Sequence, residues 1–236
     1  MKKISLISTM LIFLASSAFA VLQDNDDNTV TQIRNDGSLL MWLQDANYAM
    51  TSGYDADGLM TWNDAITWIG ILNSSNYLGY DDWRLPDTSP INGSTFDYSS
   101  SFDGSTDLSY NISAPGSAYP RSTSSDMAYM FYTELGNKGY YDISGDSPQP
   151  DWGLVNTGPF ANLQNYAYWS NTEYAPNLNE AWFFVFDDGP QHNGGKSNIY
   201  NAWAVRDVTV VPEPISSTLF IIGGATLGIR RFIRKR

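Results

Sequence analysis

Cysteine is missing from the 236 residues, and histidine occurs once, as His192. The first absence removes disulfides, thiol nucleophiles, thiolate zinc sites and dithiol redox pairs. The second removes any two-histidine metal site and leaves a single imidazole for general-base work. Basic residues are scarce away from the ends of the chain. Residues 21–210 carry 24 acids against Arg34, Arg84, Arg121, Lys138, Lys196 and Arg206, a net charge of −18. Such a charge repels nucleic-acid phosphates and anionic lipid, so neither is expected as a partner. It suits solubility, divalent cations, or a neutral or cationic polymer.

Long apolar runs are confined to the two ends. Lys2 and Lys3 precede an apolar stretch from Ile4 to Leu14, and Ala18-Phe19-Ala20 forms a small-x-small cleavage site. This order predicts a secretory signal peptide over residues 1–20, cut after Ala20. At the other end Pro212-Glu213-Pro214 is followed by an apolar segment, 215–229, and by Arg230, Arg231, Arg234, Lys235 and Arg236. Residues 211–236 resemble the PEP-CTERM sorting signal, which implies processing by an exosortase-type membrane protease in an exopolysaccharide-producing bacterium. Fifteen helical residues at ~1.5 Å each reach about 22 Å, short of a ~30 Å hydrocarbon core, so this predicted transmembrane helix holds the chain loosely. The basic cluster is expected to stay cytoplasmic, leaving the chain before Pro212 outside.

Between the ends, residues 21–210 suffice for one well-cored domain. With no disulfide, its stability must come from packing, and the chain supplies 8 Trp, 11 Phe and 15 Tyr for it. Thr29–Ile33 and Leu39–Leu43, separated by Asn35-Asp36-Gly37, predict a β-hairpin. Thr61 to Asn73 places Trp62, Ala65, Ile66, Ile69 and Leu72 at helical spacing, with Thr61 as N-cap and Asp64 three residues on. Residues 88–125 are rich in Ser, Gly, Asn, Asp and Pro and predict a long ordered loop. A second helix is expected over Asp126–Leu135, capped by Ser124 or Ser125 and stopped by Gly136, and a second long loop over 139–163. Strands are expected at 167–170, 181–186 and 200–206, with turns at Asp187-Asp188-Gly189-Pro190 and Gly194-Gly195. Hairpins early, helices in the middle and hairpins late give an α+β class.

Trp42, Thr61-Trp62 with Ala65, Asp82-Trp83-Arg84-Leu85-Pro86, Tyr168-Trp169-Ser170, Ala181-Trp182 with Phe186 and Gly189, and Ala202-Trp203-Ala204-Val205-Arg206 together resemble the Lcl C-terminal-domain family. The resemblance implies a C-type-lectin-like fold related to formylglycine-generating enzymes, with two helices, a small twisted antiparallel sheet and long loops. One departure is that Asp87-Thr88-Ser89-Pro90 leads into the long loop where related sequences start a helix with Glu-Leu. Trp83 is expected to fill the core and Arg84 to pair a buried carboxylate or carbonyl.

No catalytic residue is assigned. Formylglycine-generating chemistry needs cysteines, which this chain lacks. His192 sits in Gln191-His192-Asn193-Gly194-Gly195 and predicts an exposed turn. Adjacent acids such as Asp81-Asp82 and Asp187-Asp188 do not by themselves form the separated carboxyl pair of a glycosidase. Asp24–Asn28, Asp55–Gly58, Asp103 with Asp107, and Asp187-Asp188 offer oxygen donors for Ca2+, yet none completes a calcium-loop motif, and solvated turns are the favoured reading. Trp152, Tyr119, Tyr140, Tyr141 and Tyr166 lie in or beside the long loops, where sugar rings could stack on some of them while others pin the loops.

The sequence therefore predicts an exported, non-catalytic protein, in the inner membrane in transit and then at the cell surface or in the extracellular matrix, associated with exopolysaccharide or another glycan. The alternatives are a structural envelope protein without ligand and a membrane-anchored periplasmic hydrolase.

Overall fold

The computed structural model describes residues 21–209. Ala18 and Ala20 of the cleavage site, and Pro212, Glu213, Pro214, Arg230 and Arg231 of the sorting signal with the 215–229 segment, lie outside the described residues. Among the described residues no helix is long and apolar enough to cross a membrane.

In chain order the elements are β1 (Val21–Asp24), β2 (Thr29–Ile33), β3 (Leu39–Leu43), α1 (Tyr48–Thr51), β4 (Leu59–Met60), α2 (Trp62–Ser74), β5 (Ser100–Ser101), β6 (Leu108–Ser109), α3 (Asp126–Ala128), β7 (Ala167–Glu173), β8 (Glu180–Val185), β9 (Gln191–Gly195), β10 (Tyr200–Asn201) and β11 (Val205–Asp207). A 3₁₀ turn, Tyr77–Gly79, follows α2, and α3 continues as a π-helical stretch, Tyr129–Glu134. The class is α+β, as expected.

The predicted hairpin forms. Gly37 takes φ 85°, the Arg34 N–H donates to the Ser38 carbonyl at 3.0 Å, and Thr29 to Ile33 pair antiparallel with Leu43 to Leu39. β1 extends the hairpin on one edge and β11 on the other, in the order β1-β2-β3-β11. The second sheet runs β4-β10-β7-β8-β9, and β5 pairs with β6 by itself. The expectation of one small antiparallel sheet is corrected here, because β10 lies parallel to β7. β7, β8 and β9 alternate in direction. The chain then crosses the sheet through Lys196–Ile199 and enters beside β7 in the sense it was already travelling. β9 is itself a correction, since Gln191–Gly195 is strand and not turn. Its residues have no strand propensity, and backbone pairing with Glu180–Phe184 imposes the extended form.

The first predicted helix is α2. The Thr61 hydroxyl donates to Asp64 Oδ2 at 2.6 Å and accepts the Asp64 N–H at 3.3 Å. Ala65, Trp68, Ile69 and Leu72 are buried on one stripe, with Trp62 and Ile66 half-buried on its margin. The second predicted helix begins as expected at Asp126, where the Ser125 hydroxyl accepts the Ala128 N–H at 3.2 Å. It then widens, and the Leu135 N–H donates to the Met130 carbonyl at 2.9 Å. Tyr129, Met130, Phe131 and Tyr132 are buried in succession, so protein encloses this helix all round. Gly136 ends it at φ 66°.

Indole N–H groups bind distant parts of the core together. Trp203 donates to the Leu43 carbonyl at 2.8 Å, Trp169 to Met60 at 2.9 Å, Trp62 to Ser170 at 2.8 Å, and Trp42 to Gln32 Oε1 at 2.9 Å. Each large ring also removes ~150–250 Å² from water. Packing and long-range hydrogen bonds do here what disulfides do in many exported domains.

Candidate functional site

The Asp82–Pro86 block is built for support. Trp83 is 2% exposed, and its N–H and C=O are both held by the Asn73 side-chain amide, at 2.7 and 2.9 Å. Arg84 exchanges two backbone bonds with Val205, at 2.8 and 2.9 Å. Its guanidinium donates to Asp126 Oδ2 at 2.8 Å and to both Asp207 oxygens at 3.1 Å. Arg34 reaches the other Asp126 oxygen at 2.5 Å. Burial works against the Asp126 charge, but Arg34 and Arg84 outweigh it and hold the carboxyl below its usual range. The expected roles, Trp83 in the core and Arg84 on a buried carboxylate, are what the structure has.

The aromatic residues singled out in the loops do not share one surface. Tyr140 packs edge-on against Trp152 at 4.9 Å and Tyr141 at 5.1 Å, and Tyr141 continues to Tyr110 at 4.9 Å and Phe102 at 4.8 Å. Tyr166 packs against Tyr200 at 6.0 Å, and Tyr119 stands exposed elsewhere. The 280 Å³ cavity beside the first cluster is lined by Tyr132, Asn137, Lys138 and Gln149, not by those rings. The predicted aromatics mainly pin loops to one another.

The acidic loops are placed likewise. Asp55 accepts the Asp57 and Gly58 N–H groups at 3.1 and 2.8 Å, and Asp107 accepts those of Ile91 and Asp97, both at 2.7 Å. Asp103 accepts the Ser105 N–H at 3.1 Å, Asp27 that of Thr29 at 3.0 Å, and Asp188 the Tyr110 hydroxyl at 3.0 Å. Among the described residues no three His, Asp or Glu side chains are grouped to hold a metal ion. His192 lies exposed on β9, its ring 6.2 Å from Phe183.

A groove that the sequence reading missed lies where α1 meets the turn after α2. Tyr48 and Tyr77 stack with centroids 4.7 Å apart and planes inclined 26°. Both are half-buried, and they form the shared wall of two cavities. One, of about 220 Å³, also takes in Asn28, Gln44 and Asp45. The other, of about 320 Å³, takes in Ser52, Tyr54, Ser75 and Ile71. Burial and the neighbouring Tyr48 hydroxyl push the Tyr77 phenol above its usual pKa, so it stays neutral and able to donate.

Tyr77 is held in place under strain. Leu78 beside it sits at φ 55°, ψ 20°, a left-handed conformation that costs a non-glycine residue about 1–2 kcal/mol. Flat rings beside amides, hydroxyls and a carboxylate are the surface that a sugar ring requires, apolar on its face and hydroxylated at its edge. Nothing in helix or strand periodicity marks Tyr48 or Tyr77. The nearest signal is Asn76-Tyr77-Leu78-Gly79, a turn sequence carrying an aromatic directly after a predicted helix.

The Lcl C-terminal domain model matches residues 31–206. The chain belongs to the Lcl C-terminal domain family. No curated protein and no solved structure matches it. The Lcl C-terminal domain here runs from within β2 to within β11, so the Tyr48–Tyr77 pair and the Trp83–Arg84 support lie inside it.

Proposed function

We propose that this is an exported, non-catalytic bacterial surface or matrix protein whose Lcl C-terminal domain holds a glycan. The single observation that carries the binding reading is the stacked Tyr48–Tyr77 pair, half-exposed between two cavities with polar walls. The ends of the sequence support the route. A secretory signal over 1–20, a Pro212-Glu213-Pro214 break, the apolar 215–229 segment and the terminal arginines make a chain delivered across the inner membrane and then released by an exosortase-type protease. Likeness to the C-type-lectin-like fold of formylglycine-generating enzymes is part of the proposal. The closing of an N-terminal hairpin by the last strand, β11 on β3, supports it.

Two measurements test the proposal. Intact mass of the protein outside its native cells should show a start near Val21 and loss of the arginine tail, whereas a complete tail in the inner membrane would refute the matrix role. A glycan array probed with the purified chain should give hits that Tyr77→Ala weakens about two- to twelvefold, from ~0.5–1.5 kcal/mol of lost stacking. A blank array, or hits indifferent to Tyr77, would leave the structural-protein reading in its place.

A further inference from the structure

Asp45 lines the smaller of the two cavities alongside both tyrosines, and its carboxylate is near enough to the Tyr77 phenol for its charge to be felt there. It is fixed there by the Asn47 N–H at 3.0 Å on one oxygen and the Thr51 hydroxyl at 2.5 Å on the other. A carboxylate offers about four lone-pair sites, so two remain open. Gln44, on the same cavity, donates to Asp24 at 2.7 Å, and Asn28 on its rim directly follows Asp26 and Asp27. Among the described residues, no lysine or arginine lines either cavity at Tyr48–Tyr77. Four of the six bases in residues 21–210 are engaged elsewhere, Arg34 and Arg84 on Asp126, Arg206 on Asp82 and Lys196 on Glu173, and neither Arg121 nor Lys138 lines these cavities.

We infer that this groove selects a cationic amino-sugar polymer, pairing a free sugar amine with Asp45 while the sugar rings pack on Tyr48 and Tyr77. The inference rests on the glycan reading above and names its ligand class. An anionic or sulfated glycan would enter a carboxylate-lined cavity with no compensating cation. A neutral glycan can stack but leaves the open Asp45 positions to water. A protonated amine gains a charge-assisted hydrogen bond there, stronger than a neutral one. The two cavities share Tyr48 and Tyr77 as lining, so successive rings of a polymer can occupy them in turn.

The test is a titration of the full chain with a glucosamine oligomer, its fully N-acetylated counterpart and a sulfated oligosaccharide, in a chelating buffer at low and moderate salt. The expected result is at least about fivefold tighter binding of the amine oligomer than of the acetylated one, on the scale of ~1 kcal/mol for a partly exposed ion pair. Added salt should erode the preference, and Asp45→Asn should abolish it at an unchanged melting temperature. Equal binding of the amine and acetylated oligomers, lost in Tyr77→Ala, would overturn the amine preference and keep the glycan reading. Binding of neither would overturn both. Tightest binding of the sulfated oligosaccharide, or amine binding that appears only when the chelator is left out, would overturn the inference.

Discussion

The Trp83 indole donates its N–H to the Tyr77 main-chain carbonyl at 3.1 Å. The tryptophan of the Trp-Arg-Leu-Pro block thus holds from behind the loop that presents Tyr77 to the groove. Tyr80 packs edge-on against the same indole at 5.8 Å, and the Arg206 guanidinium lies over Tyr80 at 4.1 Å. Support and groove are one structure joined through a few atoms.

Trp83→Phe retains a ring and deletes that donor. The Tyr77 carbonyl keeps the Tyr80 N–H at 3.2 Å, so loss of the indole bond is expected to cost about 0.5–1.5 kcal/mol, and the smaller ring adds to it. At roughly 2–4 °C per kcal/mol for a domain of this size, the melting temperature should fall by several degrees. On the proposed glycan reading, binding should weaken with it even though residue 83 lies outside both cavities. Thermal melting and a binding titration on the same preparation read the two effects.

Asp126→Asn strands Arg34, whose guanidinium is as buried as the carboxylate it faces. Removing one member of a buried ion pair costs ~3–5 kcal/mol. Denaturant unfolding should show a large drop in midpoint. Asp207→Asn, on the exposed arm of the same network, should cost under about 1 kcal/mol.

Glu134 gives the stability an acid-side slope. Burial pushes its carboxyl up to about 7 from an ordinary 4.5, against the Gln32 amide, Arg34 and Arg121, which pull it down. The folded chain therefore holds this proton more tightly than the unfolded one. Its contribution is complete below pH 4.5 and is lost as pH rises through 7. The effect should be on the order of 1–3 kcal/mol after solvent screening. Glu134→Gln keeps an oxygen for the Gln32 amide, and it should flatten the unfolding midpoint between pH 5 and 8 by roughly this amount. An unchanged slope would show that another group carries it.

Gly58→Ala tests a close approach. Gly58 stands at φ +78°, and a Cβ there would come within 1.9 Å of the Asn47 side-chain oxygen. Asn47 leads into α1, which carries Tyr48. The substitution should destabilise the chain by more than 1 kcal/mol and disturb the groove, with folding and Tyr48 solvent exposure as readouts.

The elements that local chemistry alone defines were legible in the sequence: the Gly37 hairpin, the Thr61 and Ser125 caps and the helix stop at Gly136. Arg84 and Trp83 were placed correctly because a large indole gains most by burial and a guanidinium among so many acids finds a carboxylate. β9 was illegible, since its extended form comes from Glu180–Phe184 on the neighbouring strand and not from Gln191–Gly195 themselves. β10 was assigned as part of a longer strand, because nothing local ends it at Asn201. The groove was hidden for a related reason. Tyr48 and Tyr77 are 29 positions apart, and they meet only once the α1 segment and the turn after α2 are packed together.

Strand β11 meets β3 at Val205↔Trp42 and Asp207↔Leu40, so the first sheet stays incomplete until the last residues of the domain are in place. The sheet therefore closes last where the domain ends. The same geometry sets the mechanical behaviour of the finished molecule. Tension on whatever follows Asp207 falls directly on β11, where the ladder to β3 and the Arg84–Asp207 ion pair bear it together. A pull on the tail loads the bonds that close the fold.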